Sequence, residues 1–225
     1  MPADSMTVPT HRPRAVVFDW DNTLVDTWPV IHAALEATFI AMGQEPWTYD
    51  QTRQRVAKSL RETFPGLFGD RWEEAGEVFY DTFGSLHLEK LEPLDNALET
   101  LQTLAGSGLP CSIVSNKKGD FLRKEVEHLG WGNLIHCSVG ALDAERDKPH
   151  PAPMDMALAG TGLAPSKDIW YVGDTLVDIE FAEATGCTGI LVHTAESQPD
   201  AKAKADFTAS DLADFIGIFN RLPPK

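Results

Sequence analysis

A chain of 225 residues, 43% hydrophobic and 24% charged, can bury one sizeable core, or a core with a small appended domain. Its 34 acidic against 19 basic side chains give a formal charge of -15, a field that would repel nucleic acid and anionic membrane surfaces alike. Neither partner is expected, and an anionic small molecule would need local cations or a metal. The three cysteines, Cys111, Cys137 and Cys187, are odd in number and lie in apolar stretches. That is the pattern of reduced thiols rather than of a disulfide framework, and it favours the cytoplasm. Residues 1–14 hold no apolar run suited to a signal sequence and read as a flexible leader, with Met6 an alternative start. No later span of about 20 apolar residues offers a bilayer crossing.

In chain order, the first strand is expected in AVVFD (15–19). From 28 to 91 no strand pattern occurs. PVIHAALEATFIAMG, DQTRQRVAKSL and RWEEAGEVFYDTFGSLHLEKL read as helices, so this insert is taken as a small helical cap. The remainder alternates. A helix in LDNALETLQTLAG precedes the strand CSIVSN (111–116), and KGDFLRKEVEHLG precedes LIHCSVG (134–140). PMDMALAGTG leads to IWYVGD (169–174), and TLVDIEFAEATG to TGILVH (188–193). A weaker strand near ADFTA (205–209) and a final helix in SDLADFIGIFN, with Ser210 as its cap, close the pattern. Continuously apolar strands alternating with helices specify an α/β fold, a doubly wound parallel sheet covered on both faces. The expected division is a core of 15–27 and 92–225 and a cap of 28–91.

In such a sheet, ligands bind beyond the carboxyl ends of the strands. Asp19 and Asp21 end the first strand, Ser115 and Asn116 the second, and Asp174 the IWYV strand, while Lys148 lies in the loop DKPHP. Four separate segments thus deliver three carboxylates, a hydroxyl and an ammonium to one rim. Carboxylates crowded in a cleft repel one another unless a cation sits among them, and hard oxygen ligands select Mg²⁺.

FDWDNTLVDT, IVSNK, DKPHP and GDTLVD resemble, in order, the four motifs of the haloacid dehalogenase-like superfamily. The insert after the first motif resembles the small cap of its phosphoglycolate phosphatase-like members, and the likeness spans roughly Val16 to Val192. Because Asp21 is present, the resemblance implies phosphoryl transfer from a small phosphorylated metabolite. It makes Asp19 the nucleophile, forming an aspartyl-phosphate, and Asp21 the general acid and then base. Mg²⁺ would be held by Asp19, the main-chain carbonyl of Asp21 and Asp174, with Asp178 anchoring its waters. Lys148 and the Ser115 hydroxyl would hold phosphoryl oxygens, with Asn116 beside them.

Each assignment has a plainer rival. Asp19 and Asp174 could be turn or helix caps, Ser115 a cap, Lys148 a solvated lysine, and Asp178 a solvent-facing residue one turn on. Asp26 reads as a structural turn residue and His150 as a loop position beside Lys148. Asn22 stands where the family usually has Gly, and can adopt the left-handed turn. Trp20, between the aspartates, would pack beneath the cap or narrow the cleft. Lys58 and Arg61 resemble the cap loop that turns toward substrate and could bind a carboxylate or second phosphate, the rival being a solvated helix face. The six tryptophans and the run VFYDTF are expected to fill the cap core. A phosphomutase using the same aspartates, a non-catalytic partner-binding relative, and a phosphonate-cleaving enzyme with Lys58 as Schiff base are the alternative functions.

Overall fold

The structure, a computed structural model, describes residues 9–56, 60–193 and 199–223, apart from the side chain of Arg61. Strand β1 (Ala15–Phe18) is followed by a short β2 (Val25–Asp26) and then by four helices, α1 (Trp28–Ala41), α2 (Tyr49–Arg55), α3 (Leu60–Phe68) and α4 (Trp72–Leu86). β3 (Glu92–Pro93) ends this excursion. The chain continues through α5 (Ala97–Gly106), β4 (Cys111–Lys118), α6 (Gly119–His128), β5 (Cys137–Ala141) and α7 (Ala152–Leu158). β6 (Ile169–Gly173), α8 (Leu176–Thr185), β7 (Thr188–Leu191), α9 (Pro199–Lys204), β8 (Phe207–Thr208) and α10 (Leu212–Arg221) complete it.

Six strands form one parallel sheet in the order β5-β4-β1-β6-β7-β8. β1 lies at its centre, with Phe18 opposite Ile113 on one side and Val172 on the other. Because successive side chains of a strand point to opposite faces, β1 feeds two cores. Val16 and Phe18 pack with Leu101, Leu122, Phe215 and Phe219 of the helices on one face. Ala15 and Val17 pack with Met154, Leu158 and Phe181 on the other. Phe18 is fully buried and meets Phe215 edge-on with ring centroids 5.8 Å apart. Burial of such a ring contributes about 1.5–3 kcal/mol.

The helices α1 to α4 close on a separate cluster that includes Leu35, Phe39, Phe64, Phe68, Phe79 and Phe83. Of the six tryptophans, Trp47 and Trp72 pack against this cluster, but Trp20, Trp131 and Trp170 belong to the core beneath the sheet. The aromatic residues are therefore shared between the two layers rather than concentrated above. Where the chain leaves the sheet and returns, β2 and β3 pair antiparallel, Val25 opposite Pro93 and Asp26 opposite Glu92. Neither strand carries an apolar alternation long enough to be read from sequence.

Local capping differs from expectation at the C-terminal helix. Asp211, not Ser210, is its N-cap, accepting from the Asp214 amide at 2.8 Å. α8 stops at Gly186, whose φ of 70° lies in the left-handed region that a helix C-terminus uses. Of the leader, Arg12 and Arg14 tie to the core through backbone hydrogen bonds to Pro223 and Asp168. All three cysteines are free, and burial pushes the Cys111 thiol up to about 12. Among the described residues no helix is long and apolar enough to cross a membrane.

Candidate active site

The turn after β1 is built by the backbone. Amides of Thr23, Leu24 and Val25 all converge on the Trp20 carbonyl, and Asn22 takes φ 60° at the tip. Asn22 thus adopts the left-handed conformation expected of it. The turn leaves Asp19 buried at the strand end and Asp21 half-buried beyond it. Asp26 is a local turn residue, its carboxylate accepting from the Trp28 amide at 3.1 Å.

β1 and β6 are neighbours in register, so Asp19 and Asp174 emerge side by side. The first turn of α8 adds Asp178, and carboxylate oxygens of Asp19, Asp174 and Asp178 lie within 4.8 Å of one another. Asp174 is no helix cap; Thr175 takes that position, and Asp174 accepts instead from the Thr23 hydroxyl at 3.1 Å. Asp178 does not face solvent. It is buried, with Oδ2 accepting from the Thr175 amide at 3.0 Å and hydroxyl at 2.6 Å. Its side chain crosses directly over Gly173, where an added Cβ would come 2.3 Å from the Asp178 carboxyl carbon. Only glycine leaves that space open.

Lys148 enters from the far side. Its Nζ donates to Asp19 Oδ1 at 2.7 Å, Asp178 Oδ1 at 2.8 Å and the Tyr171 hydroxyl at 2.8 Å, which uses all three ammonium protons. Burial alone would depress this ammonium, but Asp178 and Asp19 hold it above the ordinary lysine value. The carboxylates are less fully compensated. Burial, with added repulsion from Asp178 and Asp21, pushes Asp19 up to about 7 despite Lys148. Asp174 reaches solvent in part yet is raised well above the usual carboxylate range, first by desolvation and then by Asp178 and Asp19. A cluster of oxygen donors short of positive charge fits a hard divalent cation such as Mg²⁺.

Asp21 turns the other way. Its Oδ1 lies 2.6 Å from Lys117 Nζ, and the Ser115 hydroxyl stands 3.5 Å from its Oδ2. Lys117 also reaches Glu125 Oε2 at 2.5 Å, and Glu125 accepts in addition from the Trp20 indole at 2.6 Å and His87 Nδ1 at 2.7 Å. Glu125 is fully buried. Burial alone would raise its carboxyl, but Lys117 and the hydrogen bonds from His87 and Trp20 hold it below the ordinary value. Trp20 does not line the cavity; it packs edge-on against Trp131 and donates to Glu125.

Lys117, Glu125, His87 and Tyr171 were not singled out from the sequence, though each left a trace. Glu125 falls three residues after Leu122 and beside Val126 on the apolar stripe of α6, and His87 follows Phe79 and Phe83 at four-residue steps. A charged or imidazole group on a buried stripe demands a partner. Tyr171 lies in a continuously buried strand, so its hydroxyl had to find acceptors, which are the Val114 carbonyl and Asp178.

Asn116 is committed to the backbone of Lys148, donating to its carbonyl at 3.1 Å and accepting from its amide at 3.0 Å. It holds the Lys148 loop in place. His150 accepts from the Ala152 amide at 3.3 Å and does not line the cavity. Lys58 lies outside the described residues, and the backbone of Arg61 lies in the first turn of α3. The cavity of 160 Å³ bounded by these acidic and basic groups continues upward between α1, α3 and α4.

Over residues 16–192 the sequence matches the family described as haloacid dehalogenase-like hydrolase. The chain belongs to the haloacid dehalogenase-like hydrolases. Over 183 residues it is 32% identical to a phosphoglycolate phosphatase of Xylella fastidiosa, covering 80% of each chain. It is 28% identical over 218 residues to an N-acetylmuramic acid 6-phosphate phosphatase of Pseudomonas aeruginosa, covering 93% of this chain and 96% of that one. Among solved structures, a haloacid dehalogenase-superfamily hydrolase from Ehrlichia chaffeensis shares 27% identity with a TM-score of 0.66, over 95% and 99% of the two chains. A haloacid dehalogenase-like family hydrolase from Streptococcus pneumoniae, 21% identical, shares the fold with a TM-score of 0.81 over 92% and 98%. With phosphatases as relatives over most of its length, this haloacid dehalogenase-like hydrolase is a phosphatase.

Proposed function

We propose that the chain is a Mg²⁺-dependent phosphatase that hydrolyses a small phosphorylated metabolite through an aspartyl-phosphate on Asp19. The observation that carries this reading is the division of labour among the carboxylates. Asp19, Asp174 and Asp178 converge within 4.8 Å, while Asp21, two residues on, is held apart by Lys117. Asp19, Asp174 and Asp178 would hold Mg²⁺, which when bound offsets charge on the phosphoryl oxygens.

Asp19 attacks phosphorus in line, the ester P–O bond breaks, and the departing alkoxide takes a proton from Asp21. Water then attacks the acyl phosphate, Asp21 takes the water's proton, and Asp19 is released with inorganic phosphate. Lys117 Nζ, 2.6 Å from Oδ1, holds the Asp21 carboxylate in place beside the site. Lys148 keeps Asp19 and Asp178 in fixed relation, and the Ser115 hydroxyl faces the same space. Such positioning and charge stabilisation carry most of phosphoryl-transfer catalysis. Residues 28–91 serve as a cap over the site, a reading supported by the β2·β3 pairing where the chain crosses. The free thiols suit a reducing, cytoplasmic setting.

The test is phosphate release from p-nitrophenyl phosphate with Mg²⁺. Asp19→Asn and Asp21→Asn should each lose at least about 10²-fold in kcat with the circular dichroism spectrum retained. Excess EDTA should abolish the wild-type rate. Near-wild-type turnover in either variant, or in EDTA, would end this reading.

A further inference from the structure

Asp21 lines the cavity, and a group that hands a proton to a departing oxygen is only as useful as its aim. Its side chain is 21% exposed, and two connections tie it to the interior. Both end on Glu125. The first runs through side chains: Lys117 Nζ lies 2.6 Å from Asp21 Oδ1 and 2.5 Å from Glu125 Oε2. The second runs through the main chain. The Trp20 carbonyl gathers the amides of Thr23, Leu24 and Val25, and the Trp20 indole donates to the same Glu125 Oε2 at 2.6 Å.

Glu125 therefore restrains Asp21 at its carboxylate, through Lys117, and at its backbone, through the residue that precedes it. His87 Nδ1, 2.7 Å from Oε1, engages the other oxygen and fixes the rotation of the Glu125 carboxylate. Glu125, Trp20 and His87 do not line the cavity. A buried ion pair adds little stability over apolar side chains of the same shape, so the packing of α6 alone does not call for a charge at this position. Its effect is on place. Without the Glu125 charge, Lys117 and Asp21 would remain a pair but lose their buried anchor, and the two could swing together towards solvent.

We propose that Glu125 is a positioning residue for Asp21, holding the proton donor at the leaving oxygen without itself touching substrate. This rests on the phosphatase reading for the role of Asp21.

The experiment measures kcat/KM with Mg²⁺ for phenyl phosphate and p-nitrophenyl phosphate, two esters of similar shape. Phenolate is the more basic leaving group and draws more on a proton donor, whose contribution is typically about 10²–10⁴-fold. Glu125→Gln keeps the side-chain shape and removes the charge. It should lower kcat/KM at least about 10-fold further for phenyl phosphate than for p-nitrophenyl phosphate, part of that proton-donor contribution. Lys117→Met/Glu125→Gln leaves neither member of the buried pair without its counter-charge. With its circular dichroism spectrum retained, it should show the same selective loss, which a purely structural role would not produce. Equal losses on the two esters, or an unchanged ratio, in either folded variant overturns the proposal. If the wild-type chain hydrolyses neither ester, the phosphatase reading fails, and crystals of the Glu125→Gln variant decide the positioning by themselves. An Asp21 carboxylate moved from its wild-type place supports it, and an unmoved one overturns it.

Discussion

Lys117→Met is the sharpest perturbation of the buried network behind Asp21. The side chains of Lys117 and Glu125 are 4% and 0% exposed and meet at 2.5 Å. Removing the ammonium leaves the Glu125 carboxylate buried with only the Trp20 and His87 donors. Breaking one partner of a buried ion pair costs about 3–5 kcal/mol, because the survivor keeps its desolvation penalty without its counter-charge. For a chain of this length each kcal/mol lowers Tm by about 2–4 °C, so a loss of about 6–20 °C is expected. Lys117→Met/Glu125→Gln removes both charges. It should be less destabilised than the sum of its single variants by about 2–3 kcal/mol, within the range found for residues in contact. Urea unfolding followed by tryptophan fluorescence measures all three, with Trp20 itself a reporter in the network. A Lys117→Met cost below about 1 kcal/mol, or strict additivity in the cycle, would refute the reasoning.

Two further outcomes follow from the acidic cluster. Asp19 is pushed up to about 7 and Asp174 is raised, so without metal the folded chain binds more protons than the unfolded one between about pH 3.8 and 7. The sign is fixed by linkage: stability from these groups is present below pH 3.8 and declines as pH rises towards 7. Mg²⁺ bound at the proposed site would replace those protons, so the Tm increase it produces should be larger at pH 7.5 than at pH 5, and an equal or smaller increase at pH 7.5 would contradict the charge assignment. Gly173→Ala drives a methyl to 2.3 Å from the Asp178 carboxyl carbon, so Asp178 must move off Lys148. Loss of at least about 10-fold in kcat with the fold retained is expected; phosphate release at the wild-type rate would show that Asp178 tolerates displacement.

The sequence by itself determined the layers and the rim. Apolar runs ending in Asp19, Asn116 and Asp174 can only be strands buried on both faces, and a parallel sheet sends their carboxyl ends to one edge, so the clustering of those residues followed from chain direction alone. The left-handed turn at Asn22 followed in the same way from local chemistry. What only the tertiary structure decided is which group each side chain answers to. Asp21 pairs with Lys117, and Glu125 with Trp20 and His87, across separations that no local pattern encodes, His87 arriving from the end of α4 and Glu125 from α6. Lys148 spends its protons on Tyr171 as well as the carboxylates because β6 places that hydroxyl beside them. The cavity over the site required the packing of α1, α3 and α4 to be known. Periodicity tells which face of a helix is buried, but whether that face meets another helix or a cavity depends on where the neighbouring helices stop.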